Sequence, residues 1–314
     1  MAVVEAEVPH QLLKKLLNYF SHLMKKFIKT PNSQVIKFNS DNFCLKATIL
    51  GNGPVAIVIG SHKYYPRTFS TSLTTRLKLF CADTRGFALD DPTHVEADFT
   101  LDKIIQDIEV IRKDLKSDKV IIIGHSIHSF MAIEYAQQFP DNLSHLVLIA
   151  SSPIAGPDIY KASDRYFEES VCPERKAAFA NNMQSFMQSN DQSFITRMLA
   201  FGPKLWYDHG FDASSFWESV EVNTLGAQII WSSMFASYDT ANALKAVKCP
   251  IFLALGRYDF FNPPYLWEEY RNYASDLTIR VFEKSSHTPQ FEEQKNFDAE
   301  LLNWLEQKNG FSNL

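Results

Sequence analysis

Short apolar runs, each closed by turn residues, alternate along this chain with longer stretches of helical spacing. Val120-Ile121-Ile122-Ile123 is a block of β-branched residues, the pattern of a strand buried on both faces. Val55–Ile59, Leu77–Ala82, Leu143–Ala150 and residues 251–256 (Ile-Phe-Leu-Ala-Leu-Gly) repeat it, and residues 277–283 alternate into a further strand. Near the start, Val35–Phe38 and Phe43–Leu50 flank Asn39-Ser40-Asp41-Asn42, which predicts a hairpin. Leu101, Ile104, Ile105, Ile108, Ile111 and Leu115 mark an amphipathic helix. Ile127, Phe130, Met131, Ile133 and Tyr135 open a second, and a third runs from about Phe291 to Leu305. Strands that alternate with helices predict an α/β fold built on a mostly parallel sheet.

The alternation stops after Ala150 and resumes at Pro250. Residues 154–246 between them are rich in aromatics, among them Tyr160, Phe194, Phe201, Trp206, Trp217 and Trp231, and read as short helices separated by polar breaks. The organisation expected is therefore an arm over 1–33, a core formed by 34–153 and 247–314, and a helical insertion over 154–246. Within the arm, residues 9–29 carry apolar positions at helical spacing with Lys14, Lys15, Lys25, Lys26 and Lys29 between them. Such a helix packs on the protein itself, on a second copy to form a dimer, or on an anionic membrane surface.

Composition narrows the class. The 314 residues are 46% hydrophobic and 21% charged, enough to bury a large core. A net charge of −5 gives no basic excess to suggest nucleic acid as partner. Cys44, Cys81, Cys172 and Cys249 have no metal or redox spacing and are expected as buried free thiols in a reducing, cytoplasmic setting. No apolar stretch is long enough for a transmembrane helix, and the N-terminus lacks the pattern of a signal peptide.

The candidate chemistry lies at strand ends. Gly124-His125-Ser126-Ile127-His128 follows the Val120–Ile123 run and leads directly into the second helix, the context of a nucleophile elbow with Ser126 at its apex. A serine hydroxyl needs a base to attack a carbonyl, and the base needs an orienting acid. Asp259 lies just past the strand 251–256, and His287 lies on the loop after 277–283. Ser126, Asp259 and His287 thus fall in the Ser…Asp…His order, each at the carboxyl end of a strand where such residues converge. A histidine base fails when protonated, so activity is expected to fall as pH drops through about 6 to 7.

These three motifs, with Gly256-Arg257-Tyr258-Asp259, Ser286-His287 and the interrupted strand–helix pattern, resemble the α/β-hydrolase superfamily over nearly all of residues 34–308. Asp83-Thr84-Arg85-Gly86-Phe87 matches a segment common after the fourth strand of that superfamily, with Asp83 and Arg85 read as scaffold. The resemblance implies an eight-stranded, mostly parallel sheet flanked by helices, with a helical lid inserted after the sixth strand, and no cofactor or metal. It also implies an oxyanion hole from backbone N–H groups, that of Ile127 and, by position, that of Ser61, with His62 as the alternative. A weaker similarity links the elbow and Tyr258-Asp259-Phe260-Phe261-Asn262-Pro263-Pro264 to the proline-iminopeptidase-like branch. That branch usually carries H-G-G-P-G after the third strand, where this chain reads Ile59-Gly60-Ser61-His62-Lys63. A second departure is His128 where a second elbow glycine is usual, read either as bordering the pocket or as a packed, hydrogen-bonded residue beneath it.

The expected function is a serine hydrolase that cleaves an ester or amide of a small, partly apolar substrate through an acyl-enzyme. The alternatives are a proline-iminopeptidase-like aminopeptidase and a ligand-binding protein that has lost turnover. His62, His125, Trp217 and Glu218 are candidates to touch substrate. An aminopeptidase needs a carboxylate for the substrate ammonium, for which Glu218, Glu221, Glu168 and Glu169 qualify.

Overall fold

The computed structural model describes residues 33–170 and 172–308, so the proposed basic helix at 9–29 lies outside the described residues. The expected hairpin is present: β1 (Gln34–Ser40) and β2 (Phe43–Leu50) pair antiparallel around a turn in which Asp41 takes φ 49°. Aspartate is among the few residues that enter this left-handed region readily. The remaining strands are β3 (Val55–Gly60), β4 (Lys78–Asp83), β5 (Val120–His125), β6 (Leu143–Ile149), β7 (Ile251–Gly256) and β8 (Leu277–Phe282). They form one eight-stranded sheet in the order β1-β2-β4-β3-β5-β6-β7-β8. Only the β1–β2 and β2–β4 pairs are antiparallel.

Period-two alternation sorts the strand residues into two cores. Ile57, Ile59, Val120 and Ile122 face one layer, which includes Ile104, Ile108, Met131 and Leu244. Ala56, Val58, Ile121 and Ile123 face the other, which includes Leu73, Phe297 and Leu301. Burial on both faces explains why these strands read as continuous apolar runs rather than as alternating ones. The first predicted helix is Leu101–Asp114, and its N-cap Thr100 accepts the N–H of Lys103. The second is His128–Gln138. The third is broken: Pro289–Glu292 and Gln294–Gln307 are separate helices, with Glu293 at φ −120° and ψ 50° between them.

Between β6 and β7 the described chain is helical. Its last helix, Thr240–Ala246, packs on His128–Gln138 and contributes Ala243 and Leu244 to the main core. Phe235 stacks on Phe130 at 5.0 Å just before it. The end of the expected insertion therefore joins the main core layer.

Arg85 is buried as scaffold. Its guanidinium binds both oxygens of Asp107 at 2.7 and 2.9 Å, reaches Asp98 O, and lies 4.7 Å over the ring of Phe43. All four cysteines are free, but only Cys81 is buried; Cys44 is exposed because its side of β2 faces away from the core. Among the described residues no helix is long and apolar enough to cross a membrane.

Candidate active site

Ser126 sits at φ 56°, a left-handed conformation that a serine adopts only under constraint. The constraints are visible. Its N–H continues the sheet ladder to Ile149 O at 2.9 Å, and its carbonyl accepts Ser129 N–H at 3.0 Å as the helix begins. The helix crosses close over the strand because residue 124 is glycine: a Cβ there would lie 2.6 Å from His128 O and 2.7 Å from Ser129 Cα. The turn leaves Ser126 half-buried on the wall of a cavity.

Two loops bring the partners. Asp259 is buried just after β7, where one carboxylate oxygen accepts the N–H groups of Phe261 and Asn262 at 3.0 and 2.8 Å. The other oxygen meets Nδ1 of His287 at 2.8 Å. Nδ1 facing a carboxylate carries the proton, which leaves Nε2 as the basic nitrogen. Phe261, whose ring is 5.5 Å from the His287 imidazole, lines the same cavity as Ser126. The three sequence-predicted residues thus lie just past β5, β7 and β8; Asp259 and His287 are paired, whereas no hydrogen bond joins the Ser126 hydroxyl to His287 among the described residues.

The loop after β3 separates the two oxyanion candidates. The N–H of His62 is taken by Asp83 Oδ1 at 2.8 Å, and the His62 ring also binds this carboxylate through Nδ1. This pairing removes His62 as a free donor and fixes the loop from below. Among the described residues no hydrogen bond engages the N–H of Ser61 or that of Ile127. Gly60, at φ 146°, allows the ring of Tyr65 to pack where a Cβ would stand, 2.0 Å from its Cε2.

His125 and His128 do not reach the cavity. Both are buried and belong to a chain of hydrogen bonds under the elbow. His125 Nε2 lies 2.7 Å from His287 O, which can only accept, so Nε2 is the protonated nitrogen and Nδ1 the acceptor. Tyr65 Oη, 3.2 Å away, then donates to that Nδ1. His128 Nδ1 stands 3.1 Å from Tyr65 Oη and 3.2 Å from His125 O, and so donates. Burial lowers the pKa of both rings, that of His128 to about 4, so this chain is neutral. The elbow histidine is thus the packed, hydrogen-bonded residue of the second sequence reading, and His125 is a brace for the backbone of His287 rather than a substrate contact.

The cavity beside Ser126 has a volume of about 80 Å³, with Phe130, Ile159, Ile230 and Trp231 on its walls. A second, of about 740 Å³, shares Tyr160, Trp231, Ser232 and Phe261 with the first and extends along the helix Phe194–Ala200. Trp217 and Glu218 line neither. Trp217 packs on Tyr64 and Phe194 at 4.6 and 5.9 Å, while Glu218 is exposed. Glu221 is held by Lys46 and Lys63 at 2.7 and 3.1 Å. Glu168 and Glu169 form exposed ion pairs with Lys176 and Arg165. Aromatic composition pointed to an apolar pocket, but not to which rings face it.

Two further residues, the half-buried Glu292 and the buried Arg175, carry no signal in the sequence pattern. Glu292 accepts the N–H groups of Ser286, Thr288 and Tyr207. Arg175 donates to the carbonyls of Pro203 and Trp206 at 2.8 Å and of Tyr207 at 2.6 Å, with its guanidinium 5.2 Å over Phe260. The segment they hold also accepts His287 N–H at Leu205 O and the Ser286 hydroxyl at Lys204 O. Part of the insertion is therefore bound directly to the loop of His287. Among the described residues no cluster of His, Cys, Asp and Glu is placed to hold a metal ion.

Residues 51–294 match the family model of the alpha/beta hydrolase fold. The AB hydrolase superfamily protein YclE of Bacillus subtilis is 32% identical over 274 residues, which cover 86% of this chain and 98% of that protein. A proline iminopeptidase of Flavobacterium johnsoniae is 22% identical over 303 residues, 90% of this chain and 97% of that one. Among solved structures, the esterase EaEST of Exiguobacterium antarcticum superposes with a TM-score of 0.64 at 19% identity, over 85% of this chain and 97% of its own. With its sheet order, its strand-end residues and these matches, the chain belongs to the α/β-hydrolase superfamily.

Proposed function

We propose that the protein is a serine hydrolase that cleaves an ester of a small, partly apolar molecule. The observation that carries this reading is the left-handed Ser126 on a cavity wall, with a buried His287–Asp259 pair on the neighbouring loops. In the reaction, Ser126 Oγ attacks the carbonyl carbon as His287 Nε2 takes its proton. Asp259 keeps the proton on Nδ1 and stabilises the imidazolium. The N–H groups of Ile127 and Ser61 receive the oxyanion, each such donor worth about 3 kcal/mol in the transition state. His287 then protonates the departing alcohol, and water attacks the acyl-enzyme by the same route. The helical insertion acts as a lid that supplies the apolar walls.

An aminopeptidase reading draws on the iminopeptidase relatives. It needs an anion to bind the substrate ammonium, and neither cavity has an Asp or Glu among its lining residues. An ester needs none. Side-by-side assay of a short acyl ester and a prolyl arylamide tests the choice: the ester is turned over and the arylamide is not. Turnover of the arylamide with ester activity absent overturns the ester reading.

A further inference from the structure

The linings of the two cavities are almost uniformly uncharged. The compartment beside Ser126 has no ionisable side chain other than the Tyr160 phenol on its wall, and the larger one adds a single charged residue, Arg197. Arg197 lies in the last turn of the helix Phe194–Ala200 and is exposed, with its guanidinium carbon 5.8 Å from the centroid of Phe194, another wall residue. Among the described residues it has no acidic partner. Three other exposed arginines do, Arg165 with Glu169 at 3.0 Å, Arg257 with Glu283 at 2.7 Å and Arg280 with Glu300 at 2.6 Å, whereas Arg271, also exposed, has none among the described residues and lines neither cavity. The acid closest along the chain, Asp191, is occupied by Ser193 N–H at 2.9 Å and the Thr196 hydroxyl at 2.6 Å, and it does not line the cavity.

An unpaired guanidinium on the edge of an otherwise neutral aromatic pocket is a site for a carboxylate. Its planar fork matches the two oxygens. We propose that the larger cavity binds a carboxylate carried by the substrate and that Arg197 selects it, so that the preferred substrates are monoesters of dicarboxylic acids or hydroxy acids acylated on the hydroxyl. The inference rests on the ester-hydrolase reading and gives it a substrate class. The small compartment takes the reacting ester with its short apolar group. The larger one takes the chain that leads to the anion. The side-chain amide of Gln228, a neutral wall residue, can add a donor, whereas Gln192 Nε2 and the Ser193 hydroxyl are already spent on Phe186 O, Ser189 O and Thr196 Oγ1.

Two measurements test this. The first compares kcat/KM for monoethyl esters from succinate to suberate with the matching diethyl esters, in the intact chain and in Arg197→Gln and Arg197→Lys. We expect at least one chain length at which the monoester is preferred about tenfold, equivalent to about 1.4 kcal/mol. Arg197→Gln abolishes the preference and Arg197→Lys restores part of it. High salt reduces it, because the guanidinium is exposed. Equal preference in the intact chain and Arg197→Gln overturns the proposal. The second measures calorimetric binding of the matching N-ethyl monoamides, with free carboxylate or methyl-esterified, to Ser126→Ala. Tighter binding of the carboxylate form, lost on adding Arg197→Gln, supports the anion site even if no ester is hydrolysed, in which case the ester-hydrolase reading alone fails. Equal binding of both forms overturns the anion site, whatever the turnover.

Discussion

Glu292 accepts the backbone N–H of Tyr207 at 2.6 Å, and through its other oxygen the N–H groups of Ser286 and Thr288 at 2.9 and 3.2 Å. One carboxylate thus holds the chain on both sides of His287 and fastens it to the helical insertion. Burial raises the pKa of this carboxyl to about 7, against the pull of the three backbone donors, and the nearby charge of Asp259 adds to the rise. A carboxyl raised in the folded state costs stability once it ionises. The cost is absent below the unfolded value near 4.5, grows as pH rises, and is complete above about 7. It amounts to about 3 kcal/mol. Urea unfolding at about pH 5 and about pH 8 should show a decline in the natural chain that Glu292→Gln largely lacks. Equal declines in both would remove Glu292 as its source.

The Tyr65 hydroxyl donates to His125 Nδ1 and accepts from His128 Nδ1. Tyr65→Phe leaves a buried acceptor on His125 unmatched, at about 1–3 kcal/mol. Because His125 Nε2 supports His287 O, kcat should fall several-fold with KM little changed. Steady-state kinetics on a short ester checks the split: a rise in KM alone would place this chain in substrate binding instead.

Gly124 is required by contact with backbone, which cannot yield as a flexible side chain can. Gly124→Ala puts a methyl against His128 O and Ser129 Cα, and should cost about 3 kcal/mol in denaturant unfolding. A loss below about 0.5 kcal/mol, the range of surface substitutions, would mean that the elbow helix is free to move outward.

Arg175 ties together the carbonyls of Pro203, Trp206 and Tyr207. A lysine has the charge but not the planar array of donors. Arg175→Lys should therefore loosen the loop of His287, lowering kcat about tenfold and exposing the segment 203–207 to faster amide exchange. Unchanged exchange there would show that the segment is held by other contacts.

The sheet and the placement of Ser126, Asp259 and His287 were legible because they depend on local signals. Doubly buried strands are uniformly apolar, and each candidate residue follows one directly. The break at Glu293 was not legible. Apolar spacing runs through it, but Glu293 turns back to accept Lys284 N–H and the Ser285 hydroxyl, while Glu292 caps Ser286. These bonds run back only 6 to 9 residues, from side chains that periodicity treats as surface. Trp217 and Glu218 lie away from the pocket, which the sequence does not show because the insertion's short helices do not reveal which face turns inward; Lys63 and Arg67, bonding Ser219 O, Phe216 O and Glu218 O, hold that stretch against the loop after β3. His128 broke the elbow pattern, and only the position of Tyr65 showed how an imidazole is accommodated there.

The most direct test is reaction of the purified chain with a fluorophosphonate, followed by peptide mass spectrometry and ester kinetics of Ser126→Ala. The account predicts one phosphonyl group per chain on Ser126, no label in the variant, and a fall in kcat by a factor on the order of 10⁴ or more. Labelling at another residue, or near-natural turnover in Ser126→Ala, would contradict it.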